Sequence, residues 1–134
     1  MKELITIQSN LNAPKNQKNN FGGYMFRSAE DIFEAVKPLL DANECTLVVS
    51  DDIVLLGDRF YVKATATIKN STGETESATA YAREEDSRKG MSAEQLTGSA
   101  SSYARKYALG GLFAIDDCKD ADSTTGNVGD SAKI

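Results

Sequence analysis

The chain of 134 residues has no histidine, only two cysteines and two prolines. It also has no apolar run near the roughly 20 residues that cross a bilayer. Each absence removes a class of function. Without histidine there is no Ser-His triad and no histidine general base. A zinc site would have to start from Cys45 and Cys118, which lie far apart in the sequence. Two distant thiols form no disulfide framework either and fit a reducing compartment. The opening Met1-Lys2-Glu3 has no signal-peptide character, so a soluble cytoplasmic protein is expected, with no membrane contact. Gly22-Gly23 and Gly110-Gly111 lack the spacing and the following Lys-Ser/Thr of a phosphate-cradling loop.

Carboxylates do cluster, at Asp51-Asp52, Glu84-Glu85-Asp86 and Asp116-Asp117. Two-metal nucleases use such groups because hard oxygens hold Mg²⁺. Here they fall at an expected bulge, in a charged connector and in a polar tail, where solvated carboxylates are ordinary. Ser101-Ser102 has only Lys106 at helical spacing and no other base. No catalytic constellation emerges, so no enzyme, metal or cofactor is expected.

What is there is regional charge. The net charge is -5, which argues against tight phosphate binding at physiological salt. Yet residues 1–29 hold Lys2, Lys15, Lys18 and Arg27 against Glu3 alone, and the tail from residue 116 holds five aspartates against Lys119 and Lys133. The acidity is partly segregated, and cations can gather on one surface. Residues 1–115 are expected to form one domain and residues 116–134 an acidic, disordered tail. That tail keeps the protein soluble or competes weakly for a cationic groove.

The pattern of elements is α+β: an N-terminal helix, a three-stranded antiparallel meander and a long C-terminal helix. The first 23 residues offer one short apolar stretch, Leu4, Ile5 and Ile7, then an Asn-rich loop anchored by aromatics. Ser28 caps a helix with Asp31 at the third helical position, and Ile32, Phe33, Val36, Leu39 and Leu40 share its apolar face. Pro38 should kink or shorten its last turn, ending it near Asn43. From Arg59 to Lys69 apolar and polar residues alternate strictly, a strand. The Gly57-Asp58 loop, glycine first, fits a type II′ hairpin back to Thr46–Leu56, and Ser71-Thr72-Gly73 makes the next turn to Thr75–Arg83. This register turns Asp51 toward the core, so a bulge is expected around Ser50-Asp51-Asp52. Ser92 caps the final helix, expected from Ala93 to Leu109 and stopped by Gly110. Its residues Gly98, Ser101, Ala104 and Ala108 form a narrow face for close packing, and Leu96, Ala100, Tyr103 and Tyr107 another.

The register also sets Lys63 opposite Tyr81 and Tyr61 opposite Arg83. Paired cations and rings on a polar face can hold phosphates and stack bases; an ordinary solvated sheet carries the same pairs. Arg105-Lys106 offers a second cationic feature, although adjacent residues on a helix point about 100° apart.

These residues lie within a wider likeness. Pro14-Lys-Asn-Gln, Asn20-Phe-Gly, Tyr24 to Ile32, Glu34 to Leu40, Gly57 to Ala66, Ala80 to Glu84 and Gly98 to Asp122 resemble the essential recombination function (Erf) family of phage single-strand annealing proteins. More distantly, Arg105, Lys106, Ala108, Leu109 and Gly110 echo the helix of the eukaryotic annealing proteins of recombination. The resemblance implies a protein that binds single-stranded DNA along its backbone and anneals complementary strands without ATP. It also implies a homo-oligomer, ring or helical filament, with host recombination or ssDNA-binding proteins as further partners. Combined with the pattern above, it nominates Lys18, Phe21, Tyr24, Arg27, Lys63, Tyr81, Arg83, Tyr103, Arg105 and Lys106 as the ssDNA groove. Strand protection without annealing, and a structural assembly protein, are the alternatives that the residues leave open.

Overall fold

The computed structural model describes residues 1–19, 23–84 and 90–115. The elements, in chain order, are α1 (Lys2–Asn10), β1 (Gln17–Lys18), β2 (Met25–Phe26), α2 (Ala29–Ala42), β3 (Thr46–Leu56), β4 (Arg59–Lys69), β5 (Thr75–Arg83) and α3 (Ala93–Leu112). The fold is α+β, as the pattern predicts, with an additional first helix and a two-stranded β1–β2 ribbon. The tail from residue 116, Phe21, and most of the charged connector lie outside the described residues.

The meander follows from alternation and turn chemistry. β3, β4 and β5 form one antiparallel sheet in that order. Leu56 pairs with Arg59, Val62 with Ala82 and Ala64 with Ala80, as the loop lengths require. Gly57 opens the first turn at φ 66°, and Gly73 closes the second at φ 91°, both in the region that disfavours a Cβ. The second turn is organised by buried Asn70. Its Oδ1 accepts from the Thr72 and Glu74 backbone N–H groups at 3.2 and 2.8 Å. The expected bulge is absent: β3 pairs residue for residue, with Asp51 opposite Ala64. Its carboxylate is satisfied from α3 instead, so the strand has no need to turn it outward.

Both helix caps form as reciprocal boxes, Ser28 with Asp31 and Ser92 with Gln95. α2 runs past Pro38 to Ala42, with Asn43 as its C-cap; the exposed proline sits on the solvent side and does not end the helix. Helix α3 does not stop at Gly110 but continues through Gly111 to Leu112, and the left-handed residue is Ala114 at φ 54°. Packing explains the difference. Leu109, Gly110, Leu112 and Phe113 are buried, so tertiary contacts carry the helix past the glycines; Gly111 lies beside β5, where a Cβ would meet the Ala78 Cβ at an ordinary 3.7 Å.

The core is a layer of small residues. Buried Val62, Ala64, Ala66 and Ile68 of β4 face Ala100, Ala104, Ala108 and Leu112 of α3, with Ala78, Ala80 and Ala82 of β5 beside them. The packing stripe is thus Ala100-Ala104-Ala108 rather than the face containing Gly98, where a Cβ would meet nothing within 4 Å. On the other flank of α3, Ile32 and Val36 of α2 and Ile7 of α1 complete the core.

Two substitutions test this layer. Gly98→Ala should stabilise the fold by about 0.5–1 kcal/mol, because it removes backbone entropy at an open helical site. Ala104→Leu should destabilise by about 1–3 kcal/mol through overpacking. Urea unfolding followed by circular dichroism measures both; a stability gain in the second variant would refute the close-packed layer.

Candidate nucleic-acid interface

A cavity of about 300 Å³ opens where the β1–β2 ribbon, the start of α2 and the middle of α3 meet. Its walls include Tyr24, Phe26, Arg27, Tyr103 and Lys106, together with the Ser99 and Ser102 hydroxyls and Glu30. Local sequence puts each in place. In the extended chain of β2 and the residue before it, the period of two turns Tyr24 and Phe26 to one face, their rings 6.1 Å apart. Asn19 holds Tyr24 by an amide hydrogen bond to its hydroxyl at 2.8 Å. Gln17 ties the ribbon to α2, donating to Asp31 Oδ2 at 2.7 Å and to Ser28 Oγ at 3.2 Å. On α3, Ser99, Ser102, Tyr103 and Lys106 recur at spacings of three and four, one face of a helix.

Two cations are built into the walls rather than laid on the surface. Arg27 is 6% exposed and Lys106 4%. Arg27 Nε donates to the Ala13 carbonyl at 2.5 Å, which joins the ribbon to the preceding loop. Lys106 Nζ lies 5.9 Å from the Phe26 ring centre, a cation–π contact. Glu30 lines the same walls, so the cavity carries charge of both signs. Aromatic faces, hydroxyls and built-in cations can meet a nucleotide: rings stack on a base, and a cation can hold its phosphate.

The other nominated residues do not all join this site. Arg105 and Lys106 leave α3 on opposite flanks, so the pair does not act as one clamp. Arg105 Nε donates to Asp51 at 3.1 and 3.3 Å, and the Ser101 hydroxyl donates to the same carboxylate at 2.5 Å. Burial pushes the Asp51 carboxyl upward, but the hydrogen bonds from Arg105 and Ser101 and the Arg105 charge outweigh it, holding the group below its ordinary value. Asp52, next in the strand, points to the opposite face, so these two carboxylates do not converge.

Lys63, Tyr81 and Arg83 lie on the sheet face away from α3, with Lys63 opposite Tyr81 and Tyr61 opposite Arg83 as the register requires. The sheet and α3 separate this patch from the cavity, so the structure holds two cation–aromatic surfaces where the sequence suggested one groove. Lys18 pairs with Met25 on the ribbon's other face. Phe26, the ring under Lys106, is the wall residue that sequence reasoning missed; the Tyr24-Met-Phe26 alternation is the signal that could have found it.

A family model supplies the decisive comparison: that of the ERF superfamily matches residues 1–133. The chain belongs to the ERF superfamily. It is 62% identical over 120 residues to the essential recombination function protein of Salmonella phage P22, an alignment covering 90% of this chain and 57% of that protein. This ERF chain therefore spans little more than half the length of that relative. The family match takes in the cavity, the outer sheet patch and every described element of the fold. No helix among the described residues is long and apolar enough to cross a membrane.

The Asp51 cluster makes a pH-dependent prediction. Its folded-state pKa lies below the ordinary 3.8, so its contribution is complete above that value and is lost as pH falls through the folded-state pKa. Because the pair is partly solvated, Asp51→Asn should cost only about 1 kcal/mol at neutral pH. That cost should shrink toward zero in strong acid. Thermal melts of both proteins from pH 7 to pH 2 measure the difference; a constant gap would refute the assignment.

Proposed function

We propose that this chain is a single-stranded DNA-binding protein that anneals complementary strands without ATP in phage homologous recombination. It works as a homo-oligomer, ring or helical filament, in the host cytoplasm, and uses no catalytic step. The recombination role is supported by membership of the ERF superfamily and by the name of the phage P22 relative. The observation that carries the DNA-binding reading is the convergence of Arg27, Lys106, Tyr24, Phe26 and Tyr103 on one cavity.

The mechanism follows from charge and entropy. Two complementary strands repel through their phosphates, and cations along the protein reduce that repulsion. Holding a strand in an ordered path lowers the entropy cost of pairing. Sequence is read by the complementary strand, so the protein needs no contacts that distinguish bases. A modest site on an acidic chain suffices when it is repeated around an assembly, because each further contact is intramolecular.

Annealing of labelled complementary oligonucleotides, with and without ATP and Mg²⁺, tests the activity; pairing no faster than in buffer would overturn it, and strand binding without faster pairing would leave protection alone. Tyr103→Ala should weaken ssDNA binding by about 1–3 kcal/mol if its ring stacks a base. Lys106→Gln should weaken binding to every base sequence and reduce the salt slope by about one. Arg105→Ala, whose side chain serves Asp51, should leave affinity near wild type. Thermal melts must accompany each variant; folded Tyr103 and Lys106 variants with unchanged affinity would remove the cavity from the site.

A further inference from the structure

The sheet ends in two long strands that each have one neighbour among the described strands. β3 runs for 11 residues and β5 for nine. Both pair with β4 in unbroken register. Neither contains a proline, a lysine or a bulge, three of the devices by which proteins guard an edge; each does place one carboxylate on the inner register, Asp51 of β3, which Arg105 neutralises, and Glu76 at the far end of β5. On the inner face, α3 covers Val62 completely and leaves its β3 partner and the following inward pair bare: Ile53 is 55% exposed, Leu55 57% and Phe60 50%. Ile53 pairs with Val62 and Leu55 with Phe60, so the exposed side chains continue the core row past the edge of α3.

We propose that the β3 edge and this apolar rung receive the β5 edge of a second copy of the chain, extending the sheet head to tail. The proposal rests on the homo-oligomeric part of the function proposed above and assigns it a surface. Complementarity selects the occupant. A strand added beside β3 satisfies its open backbone groups, but an isolated strand would leave Ile53, Leu55 and Phe60 in water. In this fold α3 packs over β5 as well as β4. A neighbour's β5 therefore arrives with its own α3 alongside, on the face where the bare rung lies. Pairing β3 with β3 of another copy would leave both β5 edges open, whereas β5 to β3 uses one edge of each kind and repeats without remainder. The outer patches of Lys63, Tyr81 and Arg83 would then stand side by side along the extended sheet.

Sedimentation velocity of the full chain without DNA, at micromolar concentration, should show an oligomer. Ile53→Lys combined with Leu55→Lys should convert it to monomer with the thermal melt of its isolated fold retained, since both side chains are already largely in water. A photo-crosslinking benzoylphenylalanine replacing exposed Thr79 on β5 should attach to residues 46–56 of a neighbouring copy, mapped by mass spectrometry. This second measurement keeps the native β3 and does not depend on the lysine variant folding. A double-lysine variant that assembles like wild type, or crosslinks that map outside β3, would overturn the interface while leaving annealing and oligomerisation standing. A wild-type chain that is monomeric would overturn both the interface and the oligomeric reading.

Discussion

The close approach of α3 to the sheet is the constraint on which the rest depends. Alanines meet alanines across that layer, and Gly111 lies against Ala78 at the helix end. Small residues bury little apolar area each, so this layer contributes less per residue than one of leucines would. What it supplies is a short separation and a fixed crossing. Larger residues at the rim complete the core: Ile7, Ile32, Val36, Leu109 and Phe113 are fully buried around the alanine layer.

A helix held that close sorts its side chains by flank. Toward β3, Ser101 and Arg105 reach the inward carboxylate of Asp51. Toward α2 and the ribbon, Lys106 is enclosed with Phe26. The two adjacent cations thus serve different purposes, one holding sheet to helix and the other charging a cavity wall. Asp51 would be a defect in an isolated sheet. Here it is a tether, because the alanine layer brings a donor within reach.

The meander was legible because its information is local. Strict alternation from Arg59 to Lys69 and a glycine-first two-residue loop leave one register, and both ladders follow it. The Ser28 and Ser92 caps were legible for the same reason. Features set by distant partners were not. Helix α1 is short, and its face of Met1, Leu4, Ile7 and Leu11, though at helical spacing, was too brief to outweigh the polar residues around it; tertiary contacts of that face and of Gln8 hold it. Gly110 looked like a stop because glycine often ends helices; here buried Leu112 carries the helix past it into the core. Tyr24, Arg27, Tyr103 and Lys106 could each be nominated from composition and resemblance, but their convergence depends on how α2 and α3 pack. The separation of Lys63, Tyr81 and Arg83 from them depends on the same packing.

The anchoring of α1 has a consequence for the order in which the molecule assembles. Gln8 Nε2 donates to the Leu112 carbonyl at 2.8 Å across 104 residues of sequence, and Asn70 donates to Glu3 at 3.0 Å across 67. A contact that closes so long a loop is entropically late. During synthesis α1 leaves the ribosome before any other described element, and part of its seat, on α2, follows soon after. Its two distant hydrogen bonds, however, can close only after the β4–β5 turn and the end of α3 have formed, so they report that the meander and α3 are already in place.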